Sequence, residues 1–307
     1  MAAYDDSGIA SIPGVCEVSY WGDPTASRQV LIEVPHGATQ KEHYDLLRAR
    51  LTSPIDADMI DFFFVNTDFA APECAAATAG RLTTEGAAVL LVRSLIPRTF
   101  IDCNRRSAAD ASSATRSEMT PLIPSYITAD EDRCLLLGMH ATYRDTVRRA
   151  FDRIVGAGGS ALILHTYAPR SIDVSVDESI VEALHRAYEP AVYAGWPERP
   201  EVDMITEAGD GTMLASPALA SAMQRELEAA GFEVRRNATY RLFPSTAAYE
   251  HCSRYPGRVL CIEFSRGKLA DPFIPFSAMK VCETQVDRAA SAMARAFLLQ
   301  NATKEKI

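Results

Sequence analysis

Short, continuously apolar runs alternate with longer helical stretches along this 307-residue chain, and no other feature limits the possible folds as strongly. Residues 28–34 (RQVLIEV), 87–93 (AAVLLVR), 161–164 (ALIL) and 258–264 (RVLCIEF) are apolar at nearly every position rather than at every second one. A strand with one wet face alternates, whereas a strand covered on both faces does not. The first run stops at Pro35, which cannot donate to a ladder. Helical patterns fall at 40–52, 69–85, 131–156, 177–190, 216–230 and 277–300, and Gly231 supplies a stop signal after Ala230. Repeated β–α alternation predicts an α/β fold with a mixed, mostly parallel central sheet flanked by helices. An Ala/Ser-rich run at 107–118 and a run with prolines and acids at 196–212 read as loops. Neither has the character of an interdomain linker, so residues 1–307 are expected to form a single domain.

In such sheets, functional groups gather beyond the C-terminal ends of the strands. Pro35-His36-Gly37 follows the first run and His165-Thr166 follows the third. Glu263 stands near the end of the fourth, and Arg98, Asp102, Asn104 and Arg105 come after the second. A lone histidine after a strand is usually a hydrogen-bonded structural residue. Two histidines, a glutamate and several arginines at one sheet edge point instead to a site.

Two histidines and a carboxylate supply what a catalytic zinc needs, with a position left open for water. A separate carboxylate must then move protons. Glu263 suits that role because it interrupts an otherwise apolar strand; the competing reading is a surface pair with Arg266. No H-E-x-x-H occurs, and the third residue after His36 is Thr39 rather than an acid. The third ligand therefore comes from Asp68, Glu42 or Asp102, and spacing alone leaves the three open. Asp68 could equally cap the helix that follows it. His43, His140, His185 and His251 read as helix-surface residues. Phosphate loops and a G-x-S-x-G elbow are both missing, and a thiol mechanism on Cys103 and His165 has no supporting motif.

The formal net charge of -9 would repel nucleic acid and anionic membranes. It leaves room for an anionic small molecule if the pocket itself concentrates arginine. Seven cysteines without a C-x-x-C pair read as reduced thiols. The N-terminal stretch lacks an apolar core, so neither a signal peptide nor a membrane span is expected. The expectation is a cytoplasmic monomer or small homo-oligomer.

The chain resembles the N-formylglutamate amidohydrolase family, itself similar to zinc carboxypeptidases, aspartoacylase and succinylglutamate desuccinylase. The pieces that carry the resemblance are V-P-H-G at 34–37, T-D at 67–68, G-A-A-V-L at 86–90, P-R-T-F-I-D-C-N-R at 97–105, L-H-T at 164–166 and C-I-E-F-S-R at 261–266. The resemblance implies His36, Asp68 and His165 as ligands of one divalent metal ion, expected to be Zn2+, and Glu263 as general base. It implies that Asn104 and Arg105 hold the substrate carboxylate and that Arg98 stabilises the oxyanion or grips a second carboxylate. Arg170, Tyr240 and Arg241 are candidates for the pocket lining. The chain departs from the family at Gly37-Ala38, where a small polar residue usually follows the histidine, at Cys103, at Leu164, and in lacking a Gly pair after Tyr240-Arg241. The implied activity is metal-dependent hydrolysis of an N-acyl amino acid such as N-formylglutamate. The alternatives are a carboxypeptidase-like metallopeptidase or amidase, and a non-catalytic member that binds an amino acid.

Overall fold

The computed structural model describes residues 9–107 and 121–300. The first half of the chain runs β1 (Cys16–Trp21), β2 (Gln29–Val34), α1 (Lys41–Arg48), α2 (Met59–Asn66), α3 (Ala71–Thr84), β3 (Ala88–Ser94) and α4 (Asp130–Ile154). Then come β4 (Ser160–Tyr167), α5 (Ile180–Ala187), α6 (Pro190–Tyr193), β5 (Val202–Ile205), α7 (Pro217–Ala229) and β6 (Val234–Arg236). The chain continues through α8 (Ala247–Arg254), β7 (Val259–Ser265), α9 (Arg266–Leu269) and α10 (Glu283–Leu299). The strands form one sheet in the order β1-β3-β2-β4-β7-β5-β6. The four central strands β3, β2, β4 and β7 are parallel, while β1 and β5 pair with them antiparallel.

Both faces of the sheet are covered, which is why its strands read as unbroken apolar runs. Leu31, Ile163, Val259 and Cys261 pack with α1, α2, α4, α5 and α8 on one face. Ile32, Leu164, Ile262 and Phe264 pack with α3, α7 and α10 on the other. Because side chains alternate along a strand, His165 follows Ile163 and Glu263 follows Cys261 onto the first face. They are also direct cross-strand partners between β4 and β7. That one register decides where the chemistry sits.

Several boundaries differ from the sequence reading. β4 extends to Tyr167, so His165 and Thr166 lie inside the strand rather than after it. The stretch at 196–212 holds a strand, β5, which escaped notice because it has four residues, one of them Asp203. Asp203 is buried and accepts from the backbone N–H groups of Ala238 and Thr239, so its charge belongs to a turn contact. The Ala/Ser-rich run at 107–118 lies outside the described residues except for Ser107. The stop after α7 falls as expected, with Gly231 at φ +85° beyond the cap Ala230. Among the described residues, no helix is long and apolar enough to cross a membrane. All seven cysteines are free; Cys134 is exposed and Cys282 half-buried.

Two of the histidines assigned to the surface are buried, each against a neighbouring segment of the chain. His140 contacts the carbonyl of Arg105 through Nε2 at 2.9 Å. His251 lies flat on Phe151, with ring centroids 3.9 Å apart. Burial, and after it the charges of Arg144 and Arg254, press the pKa of His251 well below its ordinary value. The folded protein therefore holds this ring neutral, whereas the unfolded chain protonates it near the usual histidine value of about 6.5. A depressed native pKa contributes stability that is complete above that value and lost as pH falls below it. On acidification from about pH 7 to about pH 5 this ring contributes a loss of stability, and His251→Phe should remove that contribution, up to about 1.4 kcal/mol per pH unit, from the wild-type pH dependence. Thermal melts across that range check this; an identical slope in the variant contradicts it.

Candidate metal centre and substrate cavity

His36 enters the site on the turn that leaves β2. A side chain at Gly37 would strike the Arg93 Cγ at 2.4 Å and crowd the Ser94 carbonyl at 3.0 Å. The close pass of this turn over β3 thus requires glycine at position 37. Arg93 Nε then holds the Gly37 carbonyl at 2.8 Å. Asp68 sits between α2 and α3, in a segment tied down from both sides. Thr67 Oγ1 donates to the Ala38 carbonyl, and Arg266 donates to the carbonyls of Val65 and Thr67. Ala70 adopts a left-handed backbone at φ 66° to start α3. His165 arrives from β4.

These three side chains converge. Asp68 Oδ2 lies 2.9 Å from His165 Nδ1 and 3.3 Å from His36 Nδ1. One ligand atom from each of the three buried residues lies within 4.8 Å of the others. Ligands about 2.0–2.1 Å from a tetrahedral zinc stand roughly 3.3 Å apart, so the group matches such a centre in both chemistry and spacing. Of the three candidate acids, Asp68 is the one that meets Nδ1 of both histidines. Glu42 is on the exposed side of α1. Asp102 instead accepts from the far nitrogen of His36, Nε2, at 2.7 Å. That contact fixes the ring and leaves Nδ1 to face Asp68.

The field around the group favours a cation. Burial works against charge on His165, yet its contacts with Asp68 and Cys261 and the nearby Glu263 carboxylate hold its pKa well above the ordinary value. Burial would raise the Asp68 pKa, but His36 and His165 bring it below the usual carboxylate range. Asp102 is likewise held well below that range despite burial, chiefly by Arg105 and Arg98. Its other oxygen, Oδ2, accepts from Arg98 Nε at 3.1 Å and lies 3.7 Å from Arg105. Its Oδ1 also accepts from the Asn104 backbone at 2.9 Å. Asp102 therefore joins His36 to the arginines of the D-x-N-R stretch.

The group opens on a cavity of about 410 Å³. His36, His165, Glu263, Arg98, Asn104, Arg105, Arg170, Tyr240 and Arg241 all line it, and Asp68 lies behind the two histidines. Asn104 is pinned to the start of α8, where Ala247 and Ala248 donate to its carbonyl and side-chain oxygens. Its Nδ2 stands 3.5 Å from His165 Nε2. Arg170 is engaged at the rim by Glu198 at 2.6 Å and by the Trp196 carbonyl. The side chain of Glu263 makes no hydrogen bond or ion pair among the described residues, so the surface pair with Arg266 is not formed. Burial raises its pKa above the carboxylate norm, a shift that suits a group exchanging protons near neutral pH. Cys103 is fully buried beside Ser94, and burial pushes its thiol up to about 12. It has no nucleophilic character. Asn66, Tyr188 and Arg199 line the cavity without having been expected there, and Arg266 was expected only as a surface partner of Glu263. They come from segments with no motif of their own, except Arg266, which ends the C-I-E-F-S-R stretch.

Comparison with known proteins shows what the chain as a whole is similar to. The crystal structure of N-formylglutamate amidohydrolase from Ralstonia eutropha JMP134 superposes with a TM-score of 0.53 at 17% identity, over 93% of this chain and 99% of that one. A gene product of Agrobacterium tumefaciens superposes with a TM-score of 0.54 at 15% identity, over 95% and 96%. A metallo-carboxypeptidase from Burkholderia cenocepacia overlays more loosely, with a TM-score of 0.38 at 13% identity, over 94% and 61%. No curated protein matches the sequence. The family match is direct: it opens at residue 28, just before β2, and closes at residue 268 in α9. By that match, this chain belongs to the N-formylglutamate amidohydrolase family.

Proposed function

We propose that this chain hydrolyses the amide bond of an N-acyl amino acid, with N-formylglutamate as the leading substrate, using one zinc ion held by His36, Asp68 and His165. The observation that carries this reading is the buried His-Asp-His group opening on a cavity that also holds Glu263 and an excess of arginine. Membership of an amidohydrolase family supports the same reaction class.

When bound, the ion supplies an acidified water and a polarised substrate carbonyl. The rest falls to the chain's own groups. Arg105, with a planar fork, and Asn104, with an amide donor, hold the α-carboxylate of the substrate. Arg98, kept in place by Asp102, faces the oxygen on which negative charge develops. Glu263 accepts a proton from the attacking water and returns it to the amine nitrogen as the C–N bond breaks. The products are the free amino acid and the acid of the acyl group, formate in the leading case. Arg170 and Tyr240 border the mouth and bear on which substrates enter.

The test is a substrate screen over formyl, acetyl and succinyl amino acids, reading release of free amine. Metal-loaded protein is expected to act on N-formylglutamate, to lose the activity to a chelator and to regain it with added Zn2+. Stoichiometric metal without turnover of any of these compounds would contradict the reading in favour of a binding protein.

A further inference from the structure

The cavity wall carries more positive charge and more hydrogen-bond donors than the proposed reaction uses. Six arginines line it against one acid, Glu263. Four of the six have carboxylate partners: Arg98 and Arg105 share Asp102, Arg170 meets Glu198 and Arg241 meets Glu207. Arg199 and Arg266 have none among the described residues. Arg199 lies over Tyr167 and Tyr240, at 5.2 and 5.4 Å from the ring centroids. Its charge bears on Arg266. Neither guanidinium has an ion-pair partner, only the more distant charges of Asp68 on Arg266 and of Glu263 on Arg199, and a buried guanidinium left so is costly unless an anion joins it.

Around Arg266 the donors are also unmatched. Its Nε, the Nδ2 of Asn66 and the hydroxyl of Tyr188 are buried and have no hydrogen-bond partner in the protein. All three residues line the same cavity. They belong together: Arg266 bonds the carbonyls on either side of Asn66, and Tyr188 and Arg266 lie within each other's electrostatic reach. Asn66 is oriented by Thr99, whose hydroxyl donates to its Oδ1 at 3.2 Å. Tyr188 is held by ring contacts with Tyr193 and Phe276. Buried donors are almost always satisfied in folded proteins, so three in one place call for a ligand with acceptor oxygens.

We infer that Asn66, Tyr188 and Arg266 form a second carboxylate subsite, one that takes the side-chain carboxylate of a dicarboxylic amino acid. It is separate from the subsite of Asn104 and Arg105, which is pinned to α8 rather than to the end of α2. This inference rests on the proposed reading of the cavity as an N-acyl amino acid site, and it names the residues that select an acidic side chain. An amide group in place of that carboxylate would present the guanidinium groups with no counter-charge and would offer its own N–H donors to theirs.

Glutamate and glutamine differ only at this carboxylate, so calorimetric titration of metal-loaded protein with each reads the subsite directly. The wild type is expected to bind glutamate at least about ten-fold more tightly than glutamine. Tyr188→Phe, which keeps the ring contacts, and Asn66→Ala should each weaken glutamate roughly five- to ten-fold and leave glutamine unchanged. Arg266 is avoided as a test because it also braces the Asp68 segment. Equal binding of the two amino acids by the wild type, no binding of either, or equal weakening of both in the variants overturns the subsite. Glutamate selectivity that depends on Tyr188, in a protein that hydrolyses no N-acyl amino acid, would sink the hydrolase reading and leave the subsite standing. Hydrolysis without such selectivity would do the reverse.

Discussion

Glu263→Gln is expected to lower kcat for N-formylglutamate by about 10²- to 10⁴-fold, the range lost when a general base is removed, with metal content unchanged. The amide keeps the volume of the carboxylate and its place in β7, so the sheet should hold and Tm should move little. It cannot take up a proton, however, and the leaving nitrogen is then poorly served. Titration of the carboxyl adds a pH signature. The acidic limb of the wild-type rate profile should report its protonation in the metal-loaded protein. Glu263→Gln should lose that limb along with the rate. Steady-state kinetics beside metal analysis decides the matter: a fully active variant would remove Glu263 from the mechanism, and a metal-free one would make it a ligand.

Removing Asp68 should act on the metal instead. Asp68→Ala takes away one of the three proposed protein donors and the carboxylate that contacts both His36 and His165. Its metal affinity should fall by more than the roughly 10- to 100-fold that loss of an outer partner of a ligand costs. Asp102→Asn supplies that milder case, because Asp102 contacts His36 at Nε2 and not the proposed coordinating face. Competition with a chelator of known affinity ranks the three proteins. Wild-type affinity in Asp68→Ala would contradict the ligand set, and an order with Asp102→Asn weaker than Asp68→Ala would exchange the roles of the two acids.

The unbroken apolar runs were sufficient to predict a sheet covered on both faces, because burial on two sides leaves no position free for polar residues. They were insufficient for β1, β5 and β6. β1 is an edge strand that alternates, with Glu17 and Ser19 among its apolar residues. β5 and β6 have four and three residues, too few for any periodicity to emerge. The site was readable where a motif coincides with a strand end, as at His36 and in the D-x-N-R stretch. It was unreadable where loops of ordinary composition fold over the cavity, as at Tyr188 and Arg199.

The case of Glu263 is more instructive. An acid in an apolar strand suggests chemistry, but β2 carries one too. Glu33 is fully buried, accepts from Tyr143 Oη at 3.0 Å, and has its pKa raised by that burial. From sequence the two glutamates are equivalent. What separates them is the partner: Glu33 is satisfied beneath the sheet edge, while Glu263 faces the cavity without a hydrogen bond. Asp102 shows the same limit, since spacing left it level with Asp68 as a ligand and only the third dimension reveals which nitrogen of His36 each acid meets.

If His36, Asp68 and His165 hold one divalent ion, a crystal of the metal-loaded protein measured across the absorption edge of the metal will show it. The expected result is a single anomalous peak about 2.0–2.2 Å from the Nδ1 atoms of His36 and His165 and from a carboxylate oxygen of Asp68, with Asp102 still bonded to His36 Nε2. A stoichiometric peak bound elsewhere, or at this place through Asp102 or Glu263 in the position of Asp68, would contradict it.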